Sequence, residues 1–114
     1  MQIIDKRIEI SDLQALNSGY FDDMLKGVVD VKRELLAVDA ELHSDLEGLL
    51  LENGSSQEDL WGINLIFDED ELDELVEFDS LINIRPKQNN RSRYVEDKSR
   101  RNKILEVVAK WIIL

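Results

Sequence analysis

The sequence predicts an α+β fold. The expected arrangement is one domain over residues 1–114, with an antiparallel sheet of four to five strands and two to three helices packed on one face. Three observations carry this. The stretches 36–43, 60–67 and 75–85 alternate with period two, as strands with two different faces do. Ile104, Leu105, Val108, Trp111 and Ile112 recur instead at helical spacing. The length of 114 residues and the 43% hydrophobic content suit one modest core.

Taken in order, Gln2-Ile3-Ile4 is a short apolar start, read as an edge strand. Ser11-Asp12-Leu13-Gln14 has the form of a capping box. Leu13, Leu16, Tyr20, Phe21 and Met24 continue at helical spacing, with Gly19 as an interruption and Gly27 as a stop. The β-branched Val28, Val29 and Val31 favour a strand. Residues 28–33 and 35–43 are therefore read as a hairpin, although Lys32-Arg33-Glu34-Leu35 is poor turn chemistry.

Ser44-Asp45-Leu46-Glu47 is a second capping-box pattern, and a helix over 45–52 would gather Leu46, Leu49 and Leu50. The competing reading is a strand over 48–52 turning at Asn53-Gly54; the helix is preferred. Residues 60–67 place Trp61, Ile63, Leu65 and Phe67 on one strand face, with Leu60, Gly62, Asn64 and Ile66 on the other. Residues 68–74 hold six acids and read as a solvated loop. Residues 75–85 form the partner strand, ended by Pro86. Asp97 is a natural N-cap for a last helix over about 98–112.

Composition excludes several classes. With no cysteine there are no disulfides, no thiol catalysis and no Cys-based zinc site. The longest apolar runs, such as Leu49-Leu50-Leu51, fall far short of the roughly 20 residues of a membrane span. A soluble, cytoplasmic protein is expected. The net charge of −11 hides a split: residues 1–84 carry 22 acids and five bases, residues 85–114 three acids and nine bases.

Several runs have a familiar order. They are Glu41-Leu42-His43, Leu50-Leu51-Glu52-Asn53-Gly54-Ser55, Asp59-Leu60-Trp61-Gly62-Ile63-Asn64, Glu77-Phe78-Asp79-Ser80-Leu81-Ile82-Asn83-Ile84-Arg85-Pro86, Asn90-Arg91-Ser92-Arg93 and Val95-Glu96-Asp97. Together they resemble a family of small prokaryotic proteins known as domain of unknown function 5674. In that family a Gly usually precedes the Asn-Arg-Ser run and a Pro follows the Glu-Asp pair. This chain has Asn89 and Lys98 there. The resemblance implies a single-domain cytosolic protein and brings no reaction with it.

Three constellations could carry chemistry. Arg85, Lys87, Arg91, Arg93, Lys98, Arg100, Arg101 and Lys103 crowd a helix start, where cations are disfavoured by the helix dipole. Something negative should offset them: first the chain's own acids such as those of 68–74, next an anionic ligand or acidic protein. Nucleic acid is disfavoured by the acidic body. Second, Asp39, Glu41 and His43 fall on one strand face. A solvated face is the preferred reading in so acidic a chain; the alternative is a catalytic role or a divalent metal held by the imidazole and carboxylates, and no metal or cofactor is assigned. Third, Glu77, Asp79, Asn83 and Arg85 share a strand face that Asn64 would join. That is either a salt-bridge ladder or an acid/base pair beside a cation. His43 and Arg91 or Arg93 converging there would favour the second.

The candidate catalytic residues are thus His43, Glu41, Glu77 and Asp79. The candidate ligand-binding residues are Asn64, Asn83, Arg85, Asn90, Arg91 and Arg93. The leading functional expectation is a binding or regulatory module for a small anion or a protein partner. The alternatives are a small enzyme acting on a phosphorylated or amide-bearing substrate, which fails if His43 and Glu77 stand on opposite sides of the sheet, and a structural subunit using Trp111-Ile112-Ile113-Leu114.

Overall fold

Strand β5 (Leu60–Ile66) organises the molecule because it is apolar on both sides: Leu60, Trp61, Ile63 and Leu65 are all fully buried. The computed structural model describes residues 1–114. Its main sheet has five antiparallel strands in the order β1-β4-β3-β5-β6. These are β1 (Gln2–Ile3), β3 (Met24–Asp30), β4 (Leu35–Val38), β5 and β6 (Val76–Glu77). A separate parallel pair joins β2 (Ile8–Glu9) to β7 (Ile112–Ile113). The α+β class, the five-stranded antiparallel sheet and the N-terminal edge strand agree with the sequence reading.

The helices do not share one face. Helix α4 (Lys98–Trp111) packs Ile104, Val107 and Val108 against Leu25, Val29, Leu36, Trp61 and Ile63. Helix α2 (His43–Glu52) packs Leu46 and Leu50 against Val28, Ala37 and Leu60 on the opposite face. The reason is β3 and β5: with apolar residues at both odd and even positions, each sheet face needs its own cover.

Four elements differ from expectation in extent. Helix α1 (Ile10–Ala15) stops early instead of running to Met24. Asn17 ends it: its Oδ1 accepts from the Gly19 N–H at 2.9 Å and its Nδ2 donates to the Phe21 carbonyl at 2.9 Å. Gly19 then turns the chain at φ +92°.

Strand β4 ends at Val38, not at residue 43. Asp39 adopts φ +75°, and its carboxylate accepts from the Ser18 N–H and hydroxyl at 3.1 and 2.5 Å. The strand face of Asp39, Glu41 and His43 therefore does not exist; His43 opens α2. The preferred helix over 45–52 is present and begins two residues sooner. In both α1 and α2 the Ser of the expected capping box lies inside the helix, and no side chain caps either start.

The poor turn chemistry of 31–34 is offset from elsewhere. The Asp30 Oδ1 accepts from the Lys32 and Arg33 N–H groups at 2.9 and 2.8 Å, and its Oδ2 from the Ser55 hydroxyl at 2.6 Å. Glu34, at φ +58°, is gripped by Lys103 and Lys110 of α4 at 2.8 and 3.1 Å. Finally, the expected strand over 75–85 is only β6; a single turn of helix, α3 (Leu72–Leu75), precedes it and a 3-10 turn, Leu81–Asn83, follows.

Candidate functional site

The antiparallel register places Lys26, Asn64 and Glu77 in one row across β3, β5 and β6. Asn64 shares the strand parity of Leu60, so the row lies on the α2 side. Above it opens a cavity of about 280 Å³ lined by Lys26, His43, Ser44, Ser80, Ile82 and Arg93, with the exposed Leu42 and Leu81 beside it.

His43 is only 7% exposed, and its Nε2 lies 2.8 Å from the Ile63 carbonyl. A carbonyl can only accept, so Nε2 carries the hydrogen. Burial pushes the imidazole below its ordinary pKa; the Ile63 carbonyl opposes this, the Lys26 charge adds to it, and the Asn64 amide and Asp79 charge oppose it more feebly. The ring is therefore neutral at pH 7, and Nδ1 makes no hydrogen bond inside the protein.

Asn64 is fixed by two acceptors. Its Nδ2 donates to Glu77 Oε1 at 2.8 Å and to the Asp79 carbonyl at 3.3 Å. Its Oδ1 is occluded and meets no donor in hydrogen-bonding geometry. The Asp79 carboxylate accepts from Arg93 Nε at 2.6 Å. Lys26 has no carboxylate within 4 Å; its ammonium stands 5.0 Å from the Phe21 ring centroid. The N–H groups of His43 and Ser44, in the uncapped first turn of α2, make no hydrogen bond within the protein.

Of the residues singled out from sequence, His43, Asn64, Glu77, Asp79 and Arg93 come together here, and His43 and Glu77 stand on the same side of the sheet. Glu41 does not join them: it is exposed in the segment between β4 and α2. Asn83 and Asn90 are completely buried and fully engaged with the backbone. Asn83 pairs with Gly62 and also donates to the Arg93 carbonyl at 3.0 Å. Asn90 donates to the carbonyls of Asn83, Ser92 and Tyr94 and accepts from the Glu96 N–H. Arg85 donates to the carbonyls of Ile82, Gln57 and Leu60 and lies 4.1 Å from the Trp61 ring centroid. Arg91 is exposed; its N–H donates to Glu96 at 2.6 Å.

The basic segment is thus held mostly by carbonyls, aromatic faces and nearby acids. Arg100 covers Trp61 at 4.3 Å, Arg101 binds the carbonyls of Val95 and Glu96, and Asp97 caps α4 by accepting from the Ser99 N–H at 2.9 Å. The acids of 68–74 make no ion pair with it, against the expectation that named them. Lys26, Ser44 and Ser80 were not singled out from sequence; the pairing of Lys26 with Asn64 becomes visible only once β3 and β5 are in register. No group of three His, Asp or Glu side chains is placed to hold a metal ion. No helix is long and apolar enough to cross a membrane.

Residues 2–111 match the family described as Protein of unknown function (DUF5674). The chain belongs to this family. Among curated proteins and among solved structures, none matches it. Membership in DUF5674 assigns no reaction. The two positions where the resemblance implied Gly and Pro fall where backbone shape matters. Asn89 is left-handed at φ +59°, a conformation Gly adopts freely and Asn tolerates. Lys98 is the first residue of α4, the position Pro favours.

Proposed function

We propose that this protein is a small binding or regulatory module whose ligand is a small anion held between Lys26 and Arg93 at the start of α2. One observation carries the reading: two cations from distant parts of the chain line the same cavity as the open first turn of a ten-residue helix. Helix N–H groups and flanking cations are the ordinary means of holding a carboxylate or phosphate. The 85–103 segment contributes Arg93 to this site, while Arg85, Arg100, Arg101 and Lys103 hold parts of the fold together. The cytosol is the setting the family resemblance implies.

Calorimetric titration of inorganic phosphate and acetate into wild-type protein and the Lys26→Met variant tests this. The expected result is binding to the wild type and at least a fivefold loss in the variant, the size of a charge-assisted hydrogen bond. Equal heats in both proteins would contradict it.

The enzymatic reading has one observation in its favour, the placement of His43 and Glu77 on the same side of the sheet. In it His43 Nδ1 receives a proton while Arg93 and Lys26 stabilise charge. Phosphorus NMR of phosphate monoesters incubated with the protein separates the two: binding shifts the ester signal, whereas catalysis produces inorganic phosphate.

A further inference from the structure

We infer that the ligand of this cavity carries a hydroxyl group beside its anionic group, being a small hydroxylated carboxylate or phosphate ester. The inference rests on the anion-pocket reading and adds to it the identity of a second polar group.

The argument starts from one acceptor in the wall of a cationic cavity. His43 is more than nine-tenths buried and lines the cavity, and its Nε2 is committed to Ile63. Since Nε2 bears the hydrogen, the neutral ring offers Nδ1 as a bare lone pair. The Asn64 oxygen is occluded and Asn64 does not line the cavity, so a ligand there meets His43 alone as acceptor. A ligand that fills the cavity excludes water from Nδ1, and an acceptor left without a donor is costly.

A simple carboxylate or a fully ionised phosphate brings only acceptors. It would satisfy Lys26, Arg93 and the N–H groups of α2 but would set its lone pairs against His43. A molecule that also brings a donor satisfies both sets. That donor is a hydroxyl rather than an ammonium, because Lys26 lines the same cavity and would repel a second cation. A volume of about 280 Å³ lies at the small end of ligand sites and limits the molecule to a few carbon atoms.

The test uses matched pairs that differ by one hydroxyl: propionate against lactate, and ethyl phosphate against 2-hydroxyethyl phosphate. Affinities are measured by amide shifts, and the imidazole nitrogens of His43 are followed directly. The hydroxylated member should bind about three- to tenfold more tightly, the value of one hydrogen bond, and should move the Nδ1 resonance where its partner does not. The pair that shows this distinguishes a carboxylate source from a phosphate source. In His43→Gln the side-chain amide still donates to the Ile63 carbonyl but Nδ1 is gone, so the preference should vanish while the parent anion still binds. Equal affinities within both pairs, with shifts at Lys26, Ser44 and Arg93, would overturn the hydroxyl inference and leave the anion pocket standing. An absence of shifts with all four probes would overturn both.

Discussion

The Asn83 side chain pairs with the Gly62 backbone as a neighbouring strand would: its Oδ1 accepts from the Gly62 N–H at 2.8 Å and its Nδ2 donates to the Gly62 carbonyl at 2.9 Å. This contact lets β6 end after two residues without leaving β5 unpaired. It also sets the course of the chain from Ser80 to Arg93, and so places one side of the candidate site.

Replacing Asn83 by Ala would orphan both Gly62 groups in a fully buried location. A loss of about 2–4 kcal/mol is expected, from two buried backbone groups left unpaired. Urea unfolding measures it; a loss below about 1 kcal/mol would show that the pairing is dispensable.

Gly62 is required for a second reason. A Cβ there would lie 2.5 Å from both Cβ and Oγ of Ser80. Gly62→Ala should therefore cost about 1–3 kcal/mol through overpacking. Adding Ser80→Gly in the same chain should recover most of that loss, and a double-mutant cycle by denaturant unfolding reads the coupling.

Lys98 offers a stabilising change. It is the first residue of α4, its N–H makes no hydrogen bond, and Asp97 before it is already extended at φ −78°, ψ 118°. Those are the conditions under which proline is accommodated. Lys98→Pro should stabilise by about 0.4–1 kcal/mol through the unfolded chain, a rise in Tm of a few degrees in a scanning calorimeter. A fall would mean that the start of α4 is not as described.

The depressed pKa of His43 gives stability a definite pH dependence. Below about pH 6.5 the unfolded imidazole takes a proton that the folded one resists, so the unfolded state binds more protons. The contribution is fully present above that pH and is lost as pH falls from there toward the folded pKa. Unfolding of wild type and His43→Gln between pH 8 and 5 should show a wild-type decline that the variant lacks; parallel curves would contradict the burial of a neutral ring.

Much of the frame was legible in sequence because local pattern and tertiary role agree there. Residues 60–67 alternate as a strand, Asp97 caps the last helix, and Asn53-Gly54 ends α2, with Gly54 at φ +100°. The failures come where one side chain overrides the pattern. Leu36, Val38, Ala40 and Leu42 alternate perfectly, yet Asp39 turns the chain left-handed to hold Ser18. Residues 75–85 also alternate, yet the Asn83 amide does the work of a strand backbone. Leu60 and Gly62 stand opposite Trp61 and Ile63, and it is the burial of Leu60 that requires the second helix layer supplied by α2. At the site, period two joins Asn64 to Glu77, whereas the arrival of His43 from α2 and of Arg93 from a distant loop depends on contacts between elements that no local pattern encodes.

The central claim is that a small anion sits between Lys26 and Arg93 at the start of α2. The most direct measurement is a map of backbone amide shifts during titration with inorganic phosphate. Saturable shifts centred on Lys26, Ser44 and Arg93, absent from Arg85, Arg91 and Arg100, are the predicted result. Shifts confined to the basic segment, or none that saturate at Lys26 and Ser44, would contradict it.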